Sequence, residues 1–199
     1  TSRNHRKAKN NVTADRYHNF FPIGFDIAPN QAEEYLVNIN FNDYDAIVMP
    51  GYYTETGIIT KQARDLGIDK PILGPDGFSD EKFTELAGKK NASNVYYVSG
   101  YSTNVALSDK ASGFIEAYKK AYNTDPNMFA ALAYDSVYMI AEASKGAKTS
   151  VDIADNLAHL KNFVGVTGKM TIDKDHNPIK AALMVKRDNG EEVSAEADR

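Results

Sequence analysis

Three short apolar segments, joined by two helix-like segments, constrain the fold of this chain most. They are residues 44–49 (YDAIVM), 71–73 (PIL) and 94–98 (NVYYV). Short apolar runs of this kind are typical of strands buried in a parallel sheet. The order strand, helix, strand, helix, strand, with short connections, predicts an α/β fold built from parallel strands and right-handed crossovers.

Helix signals fill the gaps between these strands and continue beyond them. A helix is predicted from residue 54 to the stop at Gly67, and another from a cap at Ser79 to Gly88. Three further helices are predicted at 108–123, at 128–145 before Gly146, and from a cap at Ser150 to about residue 161. Residues 169–172 and 181–186 are predicted to be strands, the second turning at 188–190.

The first 41 residues are weakly patterned. Residues 20–25 suit a strand and residues 31–39 a helix. Five basic residues precede them: Arg3, His5, Arg6, Lys7 and Lys9. We interpret this run as a solvated terminus and not as a nucleic-acid arm. A net charge of -4 and a pI near 5.6 argue against a broad surface for nucleic acid.

The chain contains no cysteine, which excludes disulfides and a thiolate nucleophile. No apolar run approaches the roughly 20 residues that a membrane helix needs. Residues at the start show no pattern of charged then apolar residues. If the protein is exported, we expect its export signal to lie outside this sequence.

The sequence lacks the motifs for nucleotide binding, for hydrolase chemistry and for metal binding. Phe83 and Phe163 stand where a phosphate loop would need its first glycine, and there is no GxGxxG or GxSxG. The four histidines lack metal-ligand spacing. Residues 173–177 imitate a calcium loop, but Pro178 replaces its glycine and Met184 its glutamate. We interpret the segment as a turn between strands and predict no cofactor and no metal.

Three segments at strand ends remain as a candidate binding rim. Residues 51–53 (GYY), 75–77 (PDG) and 99–101 (SGY) each follow one predicted strand. Ligands of open parallel sheets bind beyond the carboxyl ends of the strands. Glycines allow close backbone approach, tyrosines combine an apolar face with a polar tip, and Asp76 adds one negative charge, which suits a small zwitterion. Position alone leaves open that the tyrosines only cap strand edges and that Asp76-Gly77 is only a turn.

A family resemblance favours the binding interpretation. The chain resembles the leucine/isoleucine/valine-binding proteins, which are type I periplasmic binding proteins. The likeness covers about residues 42–195 and rests on five segments in order: 44–55 (YDAIVMPGYYTE), 61–67 (KQARDLG), 74–77 (GPDG), 129–135 (FAALAYD) and 165–168 (GVTG).

The resemblance implies two α/β lobes that close over a ligand, with the chain crossing between them. Residues 42–100 and 180–195 would belong to the second, C-terminal lobe, and residues 101–179 to the first. Residues 1–41 match the family poorly. Family members are considerably longer than this chain, and the hydroxyl-rich loops that hold the ligand carboxylate have no counterpart here. We therefore expect a fragment or an incompletely recorded chain.

The same resemblance implies roles for individual residues. Tyr52 would pack against the ligand, Asp76 would pair with its α-ammonium, and Gly77 would let the backbone close in. Phe129 would line the aliphatic pocket. Two neighbouring candidates, to which the resemblance assigns no contact, are Tyr53 and Tyr101.

Two departures from the family pattern bear on the ligand. Asp76 stands where the best-known members carry glutamate, so its carboxylate reaches about one methylene less far. Ala131 stands where they place a bulky aromatic residue, which would enlarge the pocket.

The implied function is an extracytoplasmic solute-binding protein, and not an enzyme. It would capture a small aliphatic amino acid and deliver it to an ABC permease, with membrane contact only through a lipid anchor or permease docking and no nucleic-acid partner. The alternative is a ligand-sensing domain of the same fold in a receptor or regulator. An enzyme that uses Asp76 as a base is the weakest hypothesis, since no His, Cys or Ser constellation accompanies it.

Overall fold

The computed structural model describes residues 20–22, 40 and 43–197. The basic segment within residues 3–9 and the helix predicted at 31–39 lie outside the described residues. Nine strands are present in this part of the chain: β1 Phe20–Pro22, β2 Ala46–Val48, β3 Ile72–Gly74, β4 Val95–Ser99, β5 Phe163–Gly165, β6 Gly168–Ile172, β7 Pro178–Lys180, β8 Leu183–Asp188 and β9 Glu191–Ala197. Its five α-helices are α1 Tyr53–Asp65, α2 Glu81–Ala87, α3 Ala111–Tyr122, α4 Met128–Ala143 and α5 Ser150–Ala158.

A six-stranded sheet in the order β1-β2-β3-β4-β8-β9 organises the first part of the fold. Its first four strands run parallel, as predicted for β2, β3 and β4, and the strand expected within residues 20–25 is β1. β8 and β9 join antiparallel at one edge, so the sheet is mixed and not purely parallel. β8 was predicted as a strand, and its hairpin turn has positive φ at Asn189 and Gly190. β9 was not predicted, because its charged and small residues give no apolar signal.

Side chains of the central strands form the first core cluster. Ile47, Ile72 and Val95 are fully buried and sit opposite one another in register across β2, β3 and β4. Helices α1 and α2 pack closely beside them, since a Cβ on Gly57 would stand 3.0 Å from Leu86 Cβ and 3.1 Å from the Phe83 carbonyl oxygen. A side chain at position 57 would therefore push the two helices apart.

Two predicted helix caps are wrong by one residue. Asp80, and not Ser79, caps α2: its Oδ1 accepts from Lys82 N at 2.9 Å. Thr149, and not Ser150, caps α5 in a reciprocal capping box with Asp152. The physical reason is the backbone, because an N-cap residue is extended, as Asp80 and Thr149 are, whereas Ser79 is already helical in its φ and ψ.

A separate antiparallel sheet, β5-β6-β7, belongs to the second part of the fold. Residues 173–177 form the turn between β6 and β7, which confirms the interpretation as a turn between strands. The Asp173 carboxylate accepts from the backbone amides of Asp175 and Asn177, both at 2.8 Å. β5 and β7 were not predicted, because each has only three residues, too few to show a periodic pattern.

A second core cluster lies among the helices. Its buried members are Tyr101, Phe114, Met128, Ala131 and Val166. It is separate from the first cluster, which contains residues of β2–β4, β8 and α1–α2. The division into lobes at residues 42–100, 101–179 and 180–195 stays a prediction.

Within the described ranges no helix is long and apolar enough to cross a membrane. The same residues contain no group of three or more His, Cys, Asp or Glu side chains that could hold a metal ion.

Candidate functional site

The three predicted rim segments follow the same edge of the sheet. β2, β3 and β4 are parallel neighbours, with Val48 opposite Leu73 and Leu73 opposite Tyr96. Their carboxyl ends therefore meet at one edge, and residues 51–53, 75–77 and 99–101 emerge there. This is the position at which open parallel sheets bind ligands.

Gly77 of one rim segment lies close against Gly51 and Tyr52 of another. A Cβ on Gly77 would stand 2.7 Å from the Gly51 carbonyl oxygen and 3.0 Å from Tyr52 Cδ1. Any larger residue would push the two loops apart. The Tyr52 side chain is 59% exposed, and Tyr53 packs partly against the first core cluster. Tyr52 is therefore the member of the pair with a free aromatic face.

Asp76 begins a 3₁₀ turn, Asp76–Phe78, directly after β3. It is exposed, and no described residue donates a hydrogen bond to its carboxylate or forms an ion pair with it. The turn is anchored beneath it by Phe78, which is fully buried and stacks on Phe83 with a centroid distance of 4.8 Å. An uncompensated carboxylate thus stands on a fixed support beside Gly77 and Tyr52.

Tyr101 and Phe129 lie in the second core cluster, apart from these residues. Tyr101 is 5% exposed and meets Phe114 edge-on, with ring centroids 6.3 Å apart. Burial raises the pKa of Tyr101 to about 12, and the negative charges of Asp125 and Glu192 act in the same direction. Phe129, half-buried, is the second residue of α4. Of the two, Phe129 has the surface that a ligand can reach.

A pair of helix caps connects the two groups of residues. Asn127 caps α4 with Oδ1, which accepts from Ala130 N at 2.9 Å, and its Nδ2 donates to Asp80 Oδ2 at 2.9 Å. Asp80 in turn caps α2 with its other oxygen. Next to this pair, the Met128 sulfur accepts from Gly100 N at 3.3 Å. The first turn of α4 is thereby held against the ends of β3 and β4.

A polar cavity of about 330 Å³ lies beside this junction. Its walls include Ser79, Tyr97, Tyr101, Asn127 and Arg187, but not Tyr52, Asp76 or Phe129. The buried Arg187 donates to the Phe78 carbonyl at 3.0 Å and to Tyr97 Oη at 3.3 Å. Because the walls carry none of the three residues with ligand-accessible surface, we place the candidate site at the strand ends and not in this cavity.

A match to a protein-family model identifies the family of this chain. The model of the family described as periplasmic binding protein matches residues 6–192. The chain belongs to the periplasmic binding protein family.

Solved periplasmic binding proteins share its fold. A crystal structure of LivJ from Streptococcus pneumoniae, a branched-chain amino acid transporter substrate-binding protein in complex with isoleucine, is 52% identical with a TM-score of 0.79. The match covers 83% of this chain and 47% of LivJ. The leucine-binding protein LivK from Thermotoga maritima is 29% identical with a TM-score of 0.74, over 85% of this chain and 47% of that one. The predicted fold class, a type I periplasmic binding protein, is confirmed.

A curated relative supports the same family. The leucine-, isoleucine-, valine-, threonine- and alanine-binding protein of Pseudomonas aeruginosa is 26% identical over 126 residues, which are 62% of this chain and 33% of the relative. The resemblance to the leucine/isoleucine/valine-binding proteins is thereby confirmed. The chain spans about half the length of the solved structures, and a third of this relative.

Sequence reasoning missed residues that join the elements around the two core clusters of this periplasmic binding protein. Asp80, Asn127 and Lys180 were not singled out. Asp and Asn before a helix are a visible cap signal, but their pairing across 47 positions is not visible locally. Lys180 Nζ donates to the Gly100 carbonyl at 2.9 Å, and burial lowers its pKa although the charge of Asp135 opposes the shift. It ties the end of β7 to the segment that follows β4.

Proposed function

We propose that this chain is part of an extracytoplasmic solute-binding protein that captures a small aliphatic, branched-chain amino acid for an ABC permease. The observation that carries the proposal is the 52% identity to the isoleucine complex of LivJ over 83% of the chain. The exposed Asp76 carboxylate beside Gly77 and Tyr52 supports it, because such a group can bind an ammonium ion.

Each candidate residue has a distinct role in this proposal. Asp76 pairs with the α-ammonium, while Gly77 leaves room for the ligand backbone. Tyr52 covers the ligand with its exposed ring, and Phe129 lines the pocket of the aliphatic side chain. Tyr53 and Tyr101 support these positions from the two core clusters.

Binding proceeds by closure and needs no covalent chemistry. Tyr52 and Asp76 are chain neighbours of Tyr53 and Phe78, which pack in the first cluster, whereas Phe129 packs against the second. A ligand that contacts both groups favours the conformation in which they are close, and it shifts the population towards that closed form. The permease then recognises the closed form. The protein is accordingly a carrier and not an enzyme.

The test is the melting temperature of the full-length protein with each standard amino acid at millimolar concentration. A ligand at a hundred times its dissociation constant adds about 2.7 kcal/mol of stability when it binds only the folded state. We expect a rise with leucine, isoleucine and valine, and none with aspartate or lysine as controls. No rise with any amino acid would contradict the proposal.

A further inference from the structure

The hydrogen bond between the caps Asp80 and Asn127 lies between the two parts of the candidate site. Asp80 follows Asp76 by four residues, and Asn127 precedes Phe129 by two. Their bond, from Asn127 Nδ2 to Asp80 Oδ2 at 2.9 Å, is half-buried. It therefore joins the turn that carries the carboxylate to the helix that carries the apolar contact.

Each cap uses one polar atom for its own helix and the other for its partner. Asp80 Oδ1 accepts from Lys82 N, and Asn127 Oδ1 accepts from Ala130 N, both at 2.9 Å. A side chain held at both ends has little rotamer freedom, and a bond to an ionised acceptor is stronger than a neutral one. The bond therefore favours the conformation in which the start of α4 lies next to the start of α2.

Few other polar contacts of the described residues join the start of α2 to the start of α4. The Met128 sulfur accepts from Gly100 N at 3.3 Å and from Ser79 Oγ at 3.9 Å, and sulfur is a weak acceptor. The Asp80–Asn127 bond is thus the strongest polar contact between the two helix starts among the described residues.

We propose that Asp80 and Asn127 are positioning residues, which set ligand affinity by stabilising the closed conformation, in which Phe129 lies close to Tyr52 and Asp76. This inference rests on the proposed function, since the affinity in question is that for the amino acid. It predicts that affinity follows the cap-to-cap bond and not the stability of either helix alone.

An exchange of the two residues separates these effects. Asp and Asn are equally good N-caps. Asn127→Asp keeps the cap of α4 but replaces the donor by a second carboxylate that faces Asp80. The double variant, which combines Asp80→Asn with Asn127→Asp, keeps both caps. It restores the bond in reverse, because the amide donor then stands at position 80 and the carboxylate acceptor at position 127.

The experiment is calorimetric titration of isoleucine into the full-length protein and its variants. We expect Asn127→Asp to weaken binding about tenfold, the size of one lost charge-assisted hydrogen bond. The double exchange should return the dissociation constant to within about threefold of the original value. Thr149→Ala, which removes the cap of α5 away from the site, is the matched control and should leave affinity unchanged. Unchanged affinity in Asn127→Asp, or a double exchange as weak as that single variant, would overturn the proposal.

A further variant and a distance measurement complement the titration. Asp80→Ser retains a cap for α2 but is too short to reach Asn127, so it replaces Asn127→Asp if that variant does not fold. Spin labels on Lys82 and Ser136 report the distance between α2 and α4 without any ligand. The distance distribution should broaden in Asn127→Asp and sharpen again in the exchange. If the protein binds no amino acid, the proposed function fails, while an unbroadened distribution would overturn the positioning role.

Discussion

The two core clusters differ in how completely they are covered. In the first, strands with fully buried side chains, such as Ile47 and Ile72, lie under α1 and α2. In the second, α4 presents apolar side chains to solvent: Val137 is 64% exposed, and Tyr138 and Ile140 are exposed over about half of their surface. An open apolar groove between α3 and α4 continues this surface, lined by Phe114, Tyr118, Tyr122, Tyr134 and Val137 among others.

We infer from this contrast that the second cluster belongs to a larger layer of the full-length protein. Helices with apolar residues on opposite sides are buried on both sides, and helices of α/β folds cover a sheet. Among the described residues, no large sheet lies against the exposed side of α4. The chain also spans only 47% of LivJ. We expect parts of the full-length protein other than the described residues to cover this face.

The largest loss of stability is expected from a substitution of Arg187, which lies beside the first core cluster. This side chain is 5% exposed, donates to the Phe78 carbonyl and to Tyr97, and stacks on Phe83 with its guanidinium carbon 5.5 Å from the ring centroid. Arg187→Met keeps the volume but leaves two buried acceptors without a donor. We expect a loss of about 3 kcal/mol in the free energy of unfolding, measured by urea denaturation of the full-length protein. A loss below about 1 kcal/mol would mean that the arginine is not a structural part of this core.

A charge introduced at Val137 tests whether the exposed face of α4 is covered in the full-length protein. In the full-length protein, Val137→Asp should cost about 2 kcal/mol, because a covered valine would become a buried, unpaired charge. Val193, 55% exposed on the edge strand β9, is the matched control, and Val193→Asp should cost less than about 0.5 kcal/mol. Equal and small losses in both variants would show that the face of α4 is exposed in the whole protein.

The smallest effect concerns the tyrosines at the junction. Burial raises the pKa of both Tyr97 and Tyr101 to about 12, so the folded state favours their neutral forms. This stabilising contribution is present below pH 10 and is lost as the pH rises towards 12. No described residue partners the Tyr101 hydroxyl, so Tyr101→Phe should change stability by less than about 0.5 kcal/mol at pH 8.

Melting temperatures at pH 8 and pH 11 separate the loss of a hydroxyl group from the loss of a titrating group. At pH 11 Tyr101→Phe should melt above the unsubstituted protein, because phenylalanine has no proton to lose. Tyr97→Phe should be less stable at pH 8, since Arg187 loses an acceptor. Melting curves at the two pH values check both variants. Equal pH dependence with and without Tyr101 would contradict its titration from a buried state.

The sequence predicts the first cluster better than the second. β2, β3 and β4 were predicted because a buried parallel strand is a continuous apolar run, and the rim segments then follow from topology. The antiparallel strands β5, β7 and β9 were missed. β5 and β7 have only three residues each, and β9 consists mainly of charged and small residues, so none of them shows a strand pattern. At the site, Tyr52, Asp76 and Gly77 are visible from position and resemblance. The Asp80–Asn127 bond depends on a three-dimensional approach that no local pattern encodes.

The central claim is that Asp76 holds the ammonium group of a branched-chain amino acid. Calorimetric titration of isoleucine into the full-length protein and into its Asp76→Ala variant tests this claim most directly. We predict clear binding by the unsubstituted protein and a loss of about 2 to 5 kcal/mol in the variant, as for a pair of opposite charges that becomes buried when the protein closes over its ligand. The same affinity in both proteins would contradict the claim and would remove Asp76 from the site.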